Sequence, residues 1–338
     1  MSEAPIFIIA EAGVNHNGDM NLALKLIDAA ADAGANAVKF QSFKASELTT
    51  VHAQKASYQK ETSGAGESQL AMLQKLELND GDHTLLIGHC KKKNIQFLST
   101  PFDKSSLDML LDLDVTPIKL PSGEITNKPY LRYVGAKKKP IILSTGMTTL
   151  SEVGNAIQVL VDAGTPRSLI TLLHCNTQYP TPLEDANLRA MDTLARSFPA
   201  CQVGYSDHTP GISCAVAAAT MGAKVIEKHF TLDKTMEGPD HAASLDPTEL
   251  TAMVAGVRDI EKAMGDGTKQ PSPSEMENIN VARRFLVAAS TIAKGEPFSE
   301  DNVAAKRTGQ GGISPMMWDA VIGTPAERDF QIGEIIEL

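Results

Sequence analysis

Two histidines close consecutive apolar runs: His208 in Gly204-Tyr-Ser-Asp-His-Thr209 and His229 in Glu227-Lys-His-Phe-Thr231. Adjacent β-strands lie about 4.8 Å apart, so imidazoles at their ends can share one divalent cation. A pair of hydrogen-bonded histidines would give the same spacing. Glu11, Glu227 or Asp240, the last in Gly238-Pro-Asp-His241, is the candidate third group. Two imidazoles with no cysteine beside them favour Mn²⁺-like or Zn²⁺-like occupancy over an iron–sulfur centre. Three lysines, Lys39, Lys119 and Lys228, flank the ends of similar runs, and Lys119 leads into Pro121-Ser-Gly-Glu124. Cations and small donors gathered there suit a phosphate and a carboxylate, held by charge-assisted hydrogen bonds. Surface lysines, or one lysine forming a Schiff base, are the alternatives. Ser144-Thr-Gly-Met147 has the composition of a small anion-binding turn that opens a helix. Glu11 precedes Ala-Gly-Val-Asn-His-Asn-Gly18, where a carboxylate can order hydroxyls or shuttle a proton. His16 and Asn17 read as formers of the following turn.

A fold has to bring these positions together. Eight short apolar runs are present: Ile6–Ala10, Ala37–Phe40, Gln96–Ser99, Pro117–Leu120, Pro140–Leu143, Ile170–Leu173, Gln202–Gly204 and Lys224–Glu227. They alternate with stretches of helical periodicity at Asn21–Ala33, Asp103–Leu113, Leu150–Ala163, Leu183–Ser197, Gly211–Met221 and Pro247–Met264. That is the pattern of parallel strands covered by helices, and eight such units match a (β/α)8 TIM barrel. An open doubly wound sheet shares the local pattern, but the polar residues decide against it. They recur at the run ends: Glu11, Lys39 with Gln41, Thr100, Lys119 with Ser122, Ser144, His174 with Asn176, Ser206 with His208, and His229. A closed barrel turns all eight carboxyl-terminal ends to one face, whereas an open sheet spreads them along a line. Beyond Met264, Gly265-Asp-Gly-Thr-Lys-Gln-Pro-Ser-Pro-Ser274 reads as a linker. The expected organisation is a barrel over residues 1–265, a linker over 266–280 and a compact, β-rich, turn-heavy module over 281–338.

Composition narrows the partners. A net charge of −10 opposes general nucleic-acid binding, which needs clustered cations to neutralise phosphates. The dense positive runs, Lys91–Lys93 and Lys137–Lys139, read as solvated helix ends. The four cysteines, Cys90, Cys175, Cys201 and Cys214, have no CxxC pairing or disulfide-framework spacing and read as reduced thiols. No apolar run approaches the roughly 20 residues that span a bilayer, and the start of the chain lacks a basic signal region. A cytoplasmic location and no membrane partner are expected.

The strings in order are Phe7-Ile-Ile-Ala-Glu-Ala-Gly-Val-Asn-His-Asn-Gly18, Val38-Lys-Phe-Gln-Ser42, Phe97-Leu-Ser-Thr-Pro-Phe102, Lys119-Leu-Pro-Ser-Gly-Glu124, Leu143-Ser-Thr-Gly-Met147, His174-Cys-Asn-Thr177, Tyr205-Ser-Asp-His208 and Glu227-Lys-His-Phe-Thr-Leu-Asp233 with Gly238-Pro-Asp-His241. Together they resemble the N-acetylneuraminate (sialic acid) synthase family, which includes legionaminic acid synthases. Ala305-Lys-Arg-Thr-Gly-Gln-Gly-Gly-Ile-Ser-Pro315 is similar to that family's antifreeze-like (SAF) domain. The resemblance implies a transferase that condenses phosphoenolpyruvate with an N-acetylated amino sugar and water, releasing phosphate. It implies that phosphoenolpyruvate is held by Lys39, Thr100, Lys119, Ser122, Ser144, Asn176 and Ser206. His208 and His229 would bind a divalent metal, Mn²⁺ first, with Mg²⁺ or Co²⁺ as alternatives. The sugar would lie against Glu11, Gln41, Glu124, Tyr179, Glu227 and Asp240. Arg307 would arrive from the partner in a domain-swapped homodimer. Glu11, Glu227, Lys119 and Glu124 are the catalytic set. Thr308 departs from the Arg-Pro-Gly that many relatives carry there. Cys175-Asn-Thr177 places N-acetylmannosamine first as acceptor and the diacetamido precursor of legionaminate second. Ala53-Gln-Lys-Ala-Ser-Tyr58 and Glu67-Ser-Gln-Leu70 occur in synthases of both kinds. A pyruvate-dependent aldolase and a non-catalytic carbohydrate-binding protein are the more remote readings.

Overall fold

The computed structural model describes residues 4–55, 66 and 68–338. Of the strings quoted above, Ala56, Ser57, Tyr58 and Glu67 lie outside the described residues. The chain divides into two units, Met1–Gly265 and Asp266–Leu338.

In the first unit all eight apolar runs are strands: β1 (Phe7–Gly13), β2 (Ala37–Ser42), β3 (Gln96–Pro101), β4 (Ile118–Leu120), β5 (Ile141–Ser144), β6 (Ile170–His174), β7 (Gln202–Asp207) and β8 (Val225–His229). Every ladder is parallel, in the order β3-β2-β1-β8-β7-β6-β5-β4. The sheet therefore curls into a nearly closed barrel whose seam lies between β3 and β4. There, Gln96 Nε2 donates to the Thr116 carbonyl at 2.6 Å. Several strands run past their apolar cores into polar residues at the carboxyl end, Glu11, Gln41, Thr100, Ser144, Ser206 and His229 among them. Hydrophobicity alone stops short of these positions, because the residues that finish the strands face a cavity.

Helices pack outside on apolar stripes. Ala23, Leu26, Ile27 and Ala30 are the buried positions of Met20–Asp32, one face of a 3.6-residue period. Asp19 caps that helix, and reciprocal capping boxes start Leu150–Ala163 (Thr149 with Glu152) and Pro247–Ala263 (Asp246 with Glu249). The expected helix over Leu183–Ser197 is broken. A single 3₁₀ turn at Leu183–Asp185 is followed by a helix at Ala190–Ser197, and Asn187 between them takes φ 42°. Besides the shorter Ala45–Leu48 and Gln69–Gln74, the helices Asp80–Lys93 and Lys128–Gly135 lie outside the periodic stretches of the sequence. Of the last two, the first buries only His83, Leu86 and Cys90, and its last turn holds Lys91, Lys92 and Lys93, where cations oppose the negative end of the helix dipole. No helix among the described residues is long and apolar enough to cross a membrane. All four cysteines are free.

The second unit pairs β9 (Phe285–Ala288) antiparallel with β10 (Val303–Lys306). Isolated bridges Val287–Ile335, Ile292–Phe330 and Pro297–Pro325 extend the β character. Leu286, Ile292, Phe298, Val303 and Phe330 form its core. Residues 266–280 are not wholly a linker, since Met276 opens a helix that runs to Ala282. A short helix, Trp318–Val321, completes the unit. Thr308 Oγ1 donates to the Gly311 carbonyl at 2.8 Å and closes the glycine-rich turn without a proline.

Gly204 lets β7 lie close to its neighbours. A Cβ there would sit 2.3 Å from the Val225 carbonyl oxygen and 2.8 Å from Leu173 Cδ2. Backbone cannot yield, so Gly204→Ala is expected to destabilise the barrel by about 1–3 kcal/mol. Gly88, inside Asp80–Lys93, is the control, because a Cβ added there would meet nothing within 4 Å. Gly88→Ala should stabilise by about 0.5–1 kcal/mol. Urea midpoints of the two variants should move in opposite directions, and a shared direction would refute this account of β7.

Candidate active site

At the carboxyl ends of the strands lies a cavity of about 470 Å³, within the range of small-ligand sites. Strand register builds its floor. On β1 and β2 Glu11 stands opposite Lys39, on β7 and β8 Ser206 stands opposite Glu227, and on β1 and β8 Glu11 stands opposite His229. Lys39 pairs with Glu11, lies 3.6 Å from Glu227 and donates to Thr100 Oγ1 at 2.9 Å. Lys119 lies 3.3 Å from Glu227 Oε1 and donates to Ser144 Oγ at 2.9 Å. Ser206 donates to Glu227 Oε1 at 2.9 Å. All four charged groups are at most 4% exposed.

Burial sets the protonation of this floor. It raises Glu11 to about 7, an effect that the Lys39 ammonium only partly offsets. Glu227 is equally buried, but Lys119 and Lys39 outweigh the burial and hold it well below the usual carboxylate range. Lys119 is lowered by burial, which Glu227 only partly opposes, while for Lys39 the two glutamates overcome burial and raise it. Asp240, nearer the mouth, is raised to about 6 by burial alone.

The histidines meet above the floor with ring centroids 5.4 Å apart, and Tyr179 packs on both, at 4.2 Å from His208 and edge-on at 5.5 Å from His229. Burial lowers His208 to about 4 and holds His229 well below its usual value, so both rings are neutral. His208 Nδ1 donates to the Asn176 carbonyl, which leaves its Nε2 as a lone pair. Nδ1 of His229 and Oε2 of Glu227 are buried without a hydrogen-bond partner. Two neutral imidazoles with free nitrogen, beside a carboxylate oxygen that Lys39 approaches only to 3.6 Å, fit a divalent cation with open positions for other oxygens. No cluster of three or more histidine, cysteine or acidic residues suited to a metal occurs among the described residues.

Glu11, Lys39, Gln41, Thr100, Lys119, Ser122, Ser144, Tyr179, Ser206, His208, Glu227, His229 and Asp240 all line the cavity. Two expected residues do not turn their side chains to the cavity. Glu124 is turned to Asn127, whose Nδ2 donates to it at 2.6 Å, and it does not line the cup. Asn176 contributes its carbonyl to His208, while its side chain accepts from the Gln178 amide at 2.7 Å. Arg307, expected to act in a partner's site, is exposed on the second unit, just past β10. Lys228 is also absent from the cup. Strand alternation sends it to the opposite face from Glu227, where it pairs with buried Asp207 at 2.8 Å. Cys175, Thr177 and Met147, quoted in the sequence only as parts of longer strings, also line the cavity, and the sequence reading missed an apolar group, Val14, Leu48, Met72, Leu73, Leu76 and Phe102. Cys175 is a buried thiol kept protonated by burial and set 3.3 Å from Ser122 Oγ.

Residues 26–269 match the NeuB family, and residues 283–337 match the SAF domain. The chain belongs to the NeuB family. It is 54% identical over 329 residues to N,N'-diacetyllegionaminic acid synthase of Campylobacter jejuni, covering 97% of this chain and 98% of the relative. It is 44% identical over 334 residues to the synthase of the same name from Legionella pneumophila, covering 98% and 93%. Among solved structures, N-acetylneuraminic acid (sialic acid) synthetase of Leptospira borgpetersenii, in complex with citrate, superposes with a TM-score of 0.71 at 38% identity, over 82% of this chain and 90% of that one. NeuB-family membership makes this chain a carbon–carbon bond-forming synthase of the transferase type. The TIM barrel carries its cup and the second unit is its SAF domain.

Asp240 gives a stability test of the cup. Its folded pKa lies above its unfolded value, so the native state binds the proton more tightly and stability falls as pH rises from about 4 towards 6. Asp240→Asn removes that loss and should be more stable than the parent at pH 7.5 by about 1–3 kcal/mol, with the gap narrowing as pH falls to 5. Urea midpoints across that range would settle it, and a gap independent of pH would contradict the burial of an ionised carboxylate.

Proposed function

We propose that this chain is an N,N'-diacetyllegionaminic acid synthase: it condenses phosphoenolpyruvate with 2,4-diacetamido-2,4,6-trideoxymannose and water, releasing inorganic phosphate. The observation that carries the acceptor is sequence identity, 54% over 97% of this chain to the Campylobacter legionaminate enzyme against 38% over 82% of it to the Leptospira sialate enzyme. It reverses the order drawn from Cys175-Asn-Thr177. Those three residues weigh little against the whole chain, and Cys175 contacts Ser122 on the floor. N-acetylmannosamine is the second reading.

In this reading Lys39 and Lys119 hold the carboxylate and phosphate of phosphoenolpyruvate, with hydroxyls from Thr100, Ser122, Ser144 and Ser206 completing the cradle. His208 and His229 would hold a divalent cation, Mn²⁺ first and Mg²⁺ or Co²⁺ otherwise, which when bound polarises the aldehyde of the open-chain sugar. Glu11, Gln41, Tyr179 and Asp240 line the path of the sugar. The methylene carbon of phosphoenolpyruvate bonds to the aldehyde carbon, and water adds at the phosphate-bearing carbon. Cleavage of the C–O bond then expels phosphate. The proton shed by water balances the one gained by the aldehyde oxygen, and Glu11, titrating near 7, can carry it. A homodimer in which Arg307 of each chain completes the partner's site, and a cytoplasmic location where phosphoenolpyruvate is made, belong to the same proposal.

Phosphate release measured with each sugar, with and without Mn²⁺ after chelation, tests it. The diacetamido sugar should exceed N-acetylmannosamine in kcat/KM by at least about tenfold, and chelation should abolish both activities. Equal or faster use of N-acetylmannosamine would overturn the acceptor, and full activity after chelation would overturn the cation. Separately, His208→Ala and His229→Ala should each cut turnover by at least about a hundredfold while the fold persists. Mixing inactive Arg307→Ala with inactive His229→Ala chains should restore part of the activity if the site is shared between partners. No recovery would argue for sites complete in one chain.

A further inference from the structure

The cup has two chemistries. Its floor is ionic, yet the side formed by segments following β1, β2 and β3 is apolar: Val14, Leu48, Met72, Leu73, Leu76 and Phe102. These residues form a hydrophobic cluster apart from the barrel core, with buried Val14, Phe43, Met72 and Leu76 at its heart. The rings of Phe43 and Phe102 meet edge to face at 6.1 Å, and the Ala45 amide donates to Glu77 at 2.6 Å. The wall is therefore braced and preformed. Leu48 and Leu73 are only half-buried and offer carbon to the cavity.

Two polar groups sit on this wall, Thr49 and Gln69. The Thr49 hydroxyl donates to Gln69 Oε1 at 3.0 Å. That bond fixes the amide and leaves Gln69 Nε2 as a donor for a ligand oxygen.

We propose that this wall determines acceptor specificity, with Leu48, Met72 and Leu73 receiving methyl groups of the sugar and Gln69 Nε2 donating to an acetamido oxygen. It rests on the reading given under Proposed function and names which residues enforce it. N-acetylmannosamine carries hydroxyls on C4 and C6. The diacetamido trideoxy sugar carries an acetamido group on C4 and a bare methyl as C6. A hydroxyl set against carbon loses its water without a partner. A methyl set there is favoured, and a hydrophobic pocket discriminates a single methylene by about 10–200-fold. The wall thus complements the second sugar and penalises the first.

The test compares kcat/KM for the two sugars, by phosphate release with saturating Mn²⁺, in the full-length parent chain and in Leu73→Asn, Gln69→Glu and Leu73→Met. Gln69 opens the helix Gln69–Gln74, where an acidic residue is favoured, so Gln69→Glu should fold even if Leu73→Asn does not. The preference for the diacetamido sugar should fall by at least about tenfold in Leu73→Asn and in Gln69→Glu, and should stay within about threefold of the parent in Leu73→Met. A parent that prefers the diacetamido sugar, with that preference unchanged in the folded Asn and Glu variants, overturns the wall alone. A parent that prefers N-acetylmannosamine overturns both the wall and the acceptor on which it rests.

Discussion

The site depends on four charges buried at strand ends, Lys39, Lys119, Glu11 and Glu227, and on the register that makes them compensate one another. An isolated buried charge is costly enough that the group usually neutralises instead. Here each cation has a carboxylate in reach, and hydroxyls of Thr100, Ser144 and Ser206 fill further bonds. The pairs exist because Glu11 is in register with Lys39 and Ser206 with Glu227. A slip of one residue on any of these strands would send its charge to the helix-covered face. With both histidines neutral, the two cations and two carboxylates of the floor nominally cancel.

The same alternation explains what was legible. Eight apolar runs with polar residues at their ends specified a barrel and one functional face, because in a parallel sheet buried on both faces so many polar residues recurring at one end of the strands mark a ligand site. Sequence could not tell which of two neighbouring polar residues points inward. Lys228 and His229 look equally available in the string Glu227-Lys-His229. In space the histidine enters the cup and the lysine joins a second buried ion pair with Asp207, donating also to the Thr209 carbonyl at 2.5 Å. Glu124 failed for a different reason. It lies beyond the end of β4, in a 3₁₀ turn, where strand alternation no longer fixes direction and a local partner, Asn127, is in reach.

The remaining misses share a cause. Asp80–Lys93 buries few of its residues, so its apolar stripe is too thin to read from the sequence. Met276–Ala282 buries none and leaves no stripe at all. Conversely, Leu48, Met72 and Leu73 look like ordinary core, and nothing in a one-dimensional pattern separates a leucine that packs on its neighbours from one that also faces a cavity. Polar residues at strand ends announce a site because burying them needs a reason. Apolar residues give no such signal.

Floor and wall therefore divide the work on physical grounds. In the proposed reaction the floor handles anionic groups and a moving proton, and its geometry is locked by the sheet, where a small error in position would be expensive. The wall is carried by short helices outside the barrel, Ala45–Leu48 and Gln69–Gln74, packed in a cluster of their own. Exchanging one apolar side chain there for another of similar size leaves the ionic pairs and the strand register untouched. If the wall selects the acceptor as proposed, a family built this way can alter the sugar it accepts through the segments after β1, β2 and β3 while its reaction, set by the strands, stays the same.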